Sequence, residues 1–182
     1  MFVRYWADTS DSGLGIAALE YMRSLIKIAP VRVISMSGFM AGRWTGYEAL
    51  LATPMVGTPI NCVCCDPSRW TWVERVPMGD RAVDHQAIRA GGEVEIPPTS
   101  EVVDGRLELY THGIRNVLFA LANPRTKPEV ATALKYEHIV VSSDAQVSPW
   151  ISAGARPPHV IPWAPAGLSA SDEIVLRRLV ST

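Results

Sequence analysis

The sequence predicts an α/β protein built on a Rossmann-like, doubly wound and mainly parallel sheet with helices on both faces. Short β-branched runs alternate with longer helical stretches over the 182 residues, which is the pattern of repeated strand, helix, strand units. Such units favour parallel strands joined by a right-handed crossover. With 48% hydrophobic and 19% charged residues, the composition is typical of one globular domain with a sizeable core.

The first unit opens the chain. Phe2–Trp6 and Val31–Met36 are predicted strands, since both are short apolar runs. Leu14–Ile28 between them is a predicted helix, because its apolar residues recur on one helical face. These residues are Leu14, Ala18, Tyr21, Met22, Leu25 and Ile28.

The middle of the chain supplies two more strands. Trp44–Ala52 is predicted as a short helix, and Ile60–Cys65 as a buried third strand that Asp66-Pro67 terminates. Asn116–Leu121 has the apolar character of a fourth strand. Residues 75–106 between them are rich in glycine and proline and read as an insertion, with a hairpin turning at Asp104-Gly105.

The last third begins with a predicted helix, Lys127–Leu134, which has Pro128 in its first turn. His138–Val141 follows as a strand, and Ser142-Ser143-Asp144 supplies capping side chains for a helix over Ala145–Ala153 that Gly154 ends. Val160-Ile161 begins a further strand. The predicted domain spans residues 1–168, and residues 169–182 form a terminal helix over Ser169–Val180, capped by Ser169 or Ser171.

The charge distribution argues against several classes of partner. The net charge is −1, and no basic cluster exceeds Arg177-Arg178, so a surface for nucleic-acid phosphates is not expected. No apolar run approaches the ~20 residues of a membrane span, and the start of the chain lacks the apolar core of a signal peptide. We therefore expect a cytoplasmic protein that does not enter a membrane.

The cysteines predict neither a disulfide nor a metal site. Cys62, Cys64 and Cys65 lie in one apolar run. On a strand the first two share a face while the third points away, and no second ligand pair lies at metal-binding spacing. We expect buried core thiols, no bound metal and no cofactor.

A glycine-containing loop follows the first strand. Gly13 to Ala18 read G-x-G-x-x-A at a helix start, where backbone amides can hold an anion. The spacing differs from a dinucleotide fingerprint, and Ser35-Met36-Ser37 stands where the ribose-binding acid would end the second strand. The alternative is that the glycines simply let loop and helix pack closely.

Aromatic and imidazole side chains supply further candidates. Trp70 and Trp72 follow Asp66 in the loop after the third strand, where parallel sheets bind ligands and where indoles could stack on a sugar or base. They could equally fill the core or a subunit interface. His112, just before the fourth strand, is the candidate catalytic base, although a hydrogen-bonded loop residue is the alternative. Hydrolase, P-loop and metalloprotease motifs do not occur.

The run from Lys135 to Pro165, KYEHIVVSSDAQVSPWISAGARPPHVIPWAP, resembles the end of the N-terminal domain of GT-B glycosyltransferases of the family-4 type. The resemblance extends diffusely to Phe2 and implies a cleft at the loops after each strand. That half of the family's fold mainly binds the acceptor. The implied binding residues are Asp8, Asp11, Gly13, Gly15, Arg115, Ser142 and Ser143, together with Asp66, Trp70 and Trp72 from the loop argument.

The resemblance also sets the expectations about function. The family's donor nucleotide and E-x7-E glutamates belong to a C-terminal domain that residues after Pro165 do not supply. We therefore expect a subunit of a split glycosyltransferase, or a non-catalytic descendant that binds a sugar or glycosylated acceptor. The alternatives are a structural or regulatory interaction module and a small nucleotide-binding Rossmann protein. A homodimer or a hetero-partner, docked through the terminal helix or the tryptophan-rich loops, is the expected assembly.

Overall fold

The computed structural model describes residues 2–37, 40–54, 59–67, 74–75, 102–103, 106–107, 115–123, 125–134, 136–165 and 167–181. The strands are β1 (Phe2–Ala7), β2 (Val31–Ser35), β3 (Pro59–Cys64), β4 (Glu74–Arg75), β5 (Val102–Val103), β6 (Arg106–Leu107), β7 (Arg115–Ala120), β8 (His138–Val141) and β9 (His159–Val160). The α-helices are α1 (Gly13–Leu25), α2 (Lys127–Ala133), α3 (Val147–Ser152) and α4 (Ala170–Val180).

Six of these strands form one parallel sheet in the order β2-β1-β3-β7-β8-β9. Helices pack on both of its faces, so the predicted doubly wound, Rossmann-like α/β fold is confirmed. Because every strand runs the same way, all carboxyl ends lie at one edge of the sheet and all amino ends at the other. We call these the carboxyl edge and the amino edge.

The sheet face that packs against α1 and α4 carries the larger core. Tyr5, Cys62 and Phe119 project from neighbouring strands into a cluster with Met22 of α1 and Leu176 of α4, all fully buried. The Tyr5 hydroxyl donates to the carbonyl of Ala18 at 2.9 Å, which joins β1 directly to α1. Burial raises the pKa of the Cys64 thiol to about 12, and all three cysteines are buried as predicted.

The opposite face packs against α2 and α3. Trp6 and Leu118 project from the sheet into a second cluster with Ala133, which ends α2, and with Trp150 of α3. Trp150 is fully buried. Helix α1 therefore covers one face and the helices that follow β7 and β8 cover the other.

A row of buried polar side chains crosses the three central strands. Arg4, Asn61 and Asn116 are register partners on β1, β3 and β7. The Arg4 Nε donates to Asn61 Oδ1 at 2.8 Å, and Asn61 Nδ2 donates to Asn116 Oδ1 at 3.0 Å. Buried polar groups need partners, and these two hydrogen bonds form when the strands align in this register.

Several predicted boundaries shift for identifiable reasons. The predicted helix Trp44–Ala52 is wrong: two short 3-10 helices, Gly42–Trp44 and Glu48–Ala52, take its place. Gly46 between them has a φ of 98°, which no α-helix can continue through. Helix α1 ends before Ile28 because Pro30 disfavours helical backbone at the residue preceding it.

The predicted Ala145–Ala153 helix is shorter than expected and begins with a 3-10 turn, Asp144–Gln146, before α3. Gly154 ends it with a φ of 91°, as predicted. Within residues 75–106, β5 and β6 pair antiparallel with Val103 opposite Arg106. That pairing fits the predicted hairpin, whose turn at Asp104-Gly105 lies outside the described residues.

The terminal helix packs on its own sheet. Ser169 is its cap and accepts a hydrogen bond from the Asp172 amide at 3.2 Å. Leu176, Leu179 and Val180 are buried in the α1-side core, while Ile174 stays 54% exposed. The apolar stripe that suggested docking of a partner through this helix is thus covered by the protein itself.

We predict that Gly15→Ala destabilises the fold by about 1–3 kcal/mol, the usual range for overpacking. An added Cβ would lie 2.1 Å from the backbone oxygen of Ser10, and backbone cannot move aside as a flexible side chain can. Gly13→Ala is the matched control two residues away, because its Cβ would meet no atom within 4 Å. Urea denaturation midpoints measure both, and equal midpoints would contradict the close packing at Gly15.

Candidate ligand site at the carboxyl edge

The strand order places a topological switch point between β1 and β3. From β1 the chain crosses to β2 on one side, whereas from β3 the sheet continues to β7 on the other side. In open α/β sheets ligands bind in the crevice at the carboxyl ends of the two strands that flank such a point. The loops after β1 and β3 therefore flank the position at which open α/β sheets bind ligands.

The loop after β1 is held by a small polar network. The Asp8 amide donates to the carbonyl of Cys64 at 3.0 Å, which ties it to the end of β3. Asp8 Oδ1 accepts hydrogen bonds from the Ser10 amide at 2.8 Å and from the Ser37 hydroxyl at 2.7 Å. Within the described part of the chain, Asp8 Oδ2 accepts none. Oδ1 thus holds the loop against the segment after β2.

The glycines at the start of α1 have different roles. Ser12 caps the helix by accepting a hydrogen bond from the Gly15 amide at 3.0 Å. Gly15 is buried against the backbone of Ser10, so it is a glycine because loop and helix pack closely. Gly13 is exposed, with open space around its Cα. The close-packing interpretation therefore holds for Gly15. Of the two glycines, only Gly13 is exposed to solvent.

Asp11 lies at the outer rim of the same loop. Its side chain is exposed and sits over Gly42, where a Cβ would lie 2.2 Å from the Asp11 Cγ. Gly42 has a φ of 54°, a left-handed conformation that favours glycine. This close approach brings the segment after β2 up against the β1 loop.

The ends of β3 and β7 carry a surface ion pair. Asp66 follows β3, and its carboxylate lies 3.3 Å from the guanidinium of Arg125 beyond β7. The two side chains are 46% and 64% exposed respectively, so the pair adds little stability. The Asp66 carboxylate nevertheless offsets the positive charge of Arg125 at this edge. Sequence reasoning missed Arg125, which stands in a polar stretch without a motif.

The serine pair after β8 does not cap a helix, and that prediction is wrong. Ser142 instead donates to Gln146 Oε1 through both its amide, at 2.9 Å, and its hydroxyl, at 2.8 Å. Neither Ser143 nor the residue before α3 makes a side-chain cap bond. The side-chain Nε2 of Gln146 donates a hydrogen bond to the carbonyl of Ala120 at 3.4 Å. Gln146, which sequence reasoning overlooked, thus links the ends of β7 and β8.

Arg115 does not belong to this edge, and its predicted place in the same cleft is wrong. It is the first residue of β7 and therefore lies at the amino edge. Its Nη1 donates to the carbonyls of Arg178, Leu179 and Ser181 at 2.8, 3.1 and 3.0 Å, which closes the end of α4. The predicted strand Asn116–Leu121 already follows Arg115, so the parallel topology by itself assigns this residue to the amino edge.

The predicted residues that the structure brings to the carboxyl edge are Asp8, Asp11, Gly13, Gly15, Asp66, Ser142 and Ser143. Trp70, Trp72 and His112 lie outside the described residues. Ser37 and Gln146 were not predicted and hold the site's loops in place. Ser37 was noted only as the end of the second strand, where an acidic residue was absent.

The fold is an α/β fold in which polar side chains gather at the carboxyl edge of a parallel sheet, beside its switch point. Comparison of the chain with protein-family models, with curated proteins and with solved structures found no match. Among the described residues, no group of three or more His, Cys, Asp or Glu side chains is arranged to hold a metal ion. Nor does that part of the chain contain a helix with the length and apolar character to cross a membrane.

We predict that Gln146→Ala costs about 1 kcal/mol of folding free energy, the usual value of a lost hydrogen bond. Its side chain satisfies the Ser142 amide and hydroxyl. Ser143→Ala is the control, because Ser143 is exposed and lies 3.5 Å from the same oxygen. Thermal and urea unfolding measure the difference. A Ser143 variant as destabilised as the Gln146 variant would refute this account of the hinge.

Proposed function

We propose that this chain is an acceptor-side, glycosyltransferase-like domain that binds the hydroxyl groups of a sugar or glycosylated acceptor at the carboxyl edge. The single observation that carries the proposal is the chemistry of that edge. Carboxylates and hydroxyls gather at the switch point, and hydroxyl-rich ligands need such acceptors and donors. The resemblance of Lys135–Pro165 to the GT-B family gives the direction of the proposal.

The charge at the edge favours a neutral ligand over a phosphate. Asp8 and Asp11 stand beside the start of α1, where a dinucleotide fold would place its pyrophosphate. Two carboxylates there repel an anion. Arg125, which could offset them, is paired with Asp66 at 3.3 Å. These contacts support sugar hydroxyls over a nucleotide as the ligand.

The binding residues proposed are the exposed or half-buried polar groups of this edge. Asp8 offers Oδ2, and Asp11 offers an exposed carboxylate. Ser143 offers an exposed hydroxyl after β8. Trp70, Trp72 and His112 belong to the proposal from sequence alone, as stacking platforms and as a base.

A donor-binding partner completes the proposal. In GT-B enzymes the sugar nucleotide is held by the other domain, so this chain would work with a separate donor side, in a split enzyme or as a non-catalytic descendant. Docking through the tryptophan-rich loop is preferred to docking through α4, whose apolar side chains are already packed. A cytoplasmic setting is part of the same proposal.

The binding prediction is tested by NMR titration of the isotope-labelled chain with methyl glucoside, methyl mannoside and methyl galactoside. We expect at least one glycoside to shift amide signals of residues 8–15, and Asp11→Asn to weaken that glycoside about tenfold through loss of a charge-assisted hydrogen bond. Glu137→Gln is the matched control, since Glu137 is exposed near the start of β8 at the amino edge.

Titrations with UDP and NAD under the same conditions test the nucleotide-binding alternative. If either nucleotide shifts the same amides while all glycosides fail, the acceptor proposal is overturned. Equal weakening by the Asp11 and Glu137 variants would also overturn it, because a specific contact at the carboxyl edge cannot involve both residues. Turnover of UDP-glucose by the chain alone would remove the need for a donor partner.

A further inference from the structure

A second concave site lies at the amino edge, away from the proposed acceptor surface. A cavity of about 450 Å³ opens there between β8, β9 and the segments that follow α2 and α3. Its polar lining consists of Glu137, His138, Arg156 and His159, and Tyr136 and Leu134 contribute apolar surface. A volume of this size suits a small metabolite.

Two histidines form the polar centre of this pocket. His138 and His159 are the first residues of β8 and β9, and their rings lie 5.4 Å apart at 58°. Val140 of β8 pairs with His159 of β9. His138 lies two residues before Val140, so its side chain is on the same face of the sheet as that of His159. The parallel register therefore brings the two imidazoles together although they are far apart in sequence.

The charged groups around the pair are mainly positive. Arg156 lines the cavity after α3, and Arg115 on β7 lies near enough for its charge to act on His138. Burial, and then the positive charges of His159, Arg115 and Arg156, lower the pKa of His138. Burial also lowers the pKa of His159. Both shifts favour the neutral form of the imidazole.

Within the described part of the chain, neither Arg115 nor Arg156 forms an ion pair with an acid. Arg115 is hydrogen-bonded to the carbonyls at the end of α4, and Arg178 adds a further positive charge in the last turn of that helix. Glu137 lines the cavity but is exposed, and it does not raise the pKa of His138.

We propose that this amino-edge pocket binds a phosphate group, held by Arg156 and by the imidazoles of His138 and His159. The anion supplies the negative charge that the surrounding cations lack, and guanidinium groups bind phosphate through paired hydrogen bonds. Binding is accompanied by uptake of a proton from solvent onto an imidazole, because a nearby anion favours its charged form. No covalent bond forms or breaks.

The source of the phosphate is either inorganic phosphate or the phosphoryl group of a larger metabolite. A volume of 450 Å³ exceeds what inorganic phosphate alone needs. Glucose 6-phosphate and inorganic phosphate are therefore the two probes. Tighter binding of the sugar phosphate indicates a metabolite site, and equal binding indicates a site for the phosphate group alone; both outcomes support a phosphate pocket.

The test is an NMR titration of the histidine ring protons against pH in chloride, in phosphate and in glucose 6-phosphate. We expect phosphate to raise the apparent pKa of His138 by about one unit, which corresponds to tenfold tighter binding to the protonated form. Arg156→Gln should weaken phosphate binding about tenfold. Arg156 is exposed, so its loss leaves the fold intact, and a urea midpoint verifies this. Arg125→Gln at the carboxyl edge is the control.

Three results would overturn the proposal. The first is a His138 titration that is the same in chloride and in phosphate. The second is equal loss of phosphate affinity in the Arg156 and Arg125 variants, which would mean nonspecific charge screening. The third is tight binding of Co²⁺ by the two histidines with no effect of phosphate, since the pocket would then be a metal site. None of these outcomes depends on glycoside binding at the other edge.

Discussion

The hydrogen-bonded row of Arg4, Asn61 and Asn116 is the constraint on which the rest of the structure depends. A parallel sheet can slip in register, and a slip of one residue turns every side chain to the opposite face. Here a slip would break the hydrogen bonds that join the three side chains across the strands, and breaking a bond between buried polar groups costs more than the bond contributes when made. The aligned strands then carry their loops to common edges, so the row determines which residues meet at the carboxyl edge.

The two edges of the sheet differ in charge, and the fold produces that difference. Aspartates and serines follow the strands, where they also suit turns and helix starts, so acceptor groups collect at the carboxyl edge. Arg115, His138 and His159 begin strands, so cations and imidazoles collect at the amino edge. The chain thus presents two surfaces that differ in charge, one at each end of the parallel strands.

Sequence reasoning predicted what local patterns determine. Every strand of the main sheet was predicted to within a residue or two, because β-branched runs bounded by turn residues leave few alternatives. It failed where one particular contact decides: Ser142 donates to Gln146 instead of capping a helix, and Arg115 binds the end of α4 instead of lining the carboxyl edge. The predicted site residues after the strands could be placed from topology alone, but which oxygen each leaves available depended on loop contacts that no spacing encodes.

The position of α4 in the chain has a consequence for synthesis. This helix covers the sheet face that holds Tyr5, Phe119 and Val33, yet it is made more than a hundred residues after β1 and β2. While the ribosome is still translating the residues between, α4 is not yet available to shield that apolar face from water. The nascent chain therefore depends on prompt docking of α4, completed by the Arg115 contacts, and it would benefit from a ribosome-associated chaperone until then.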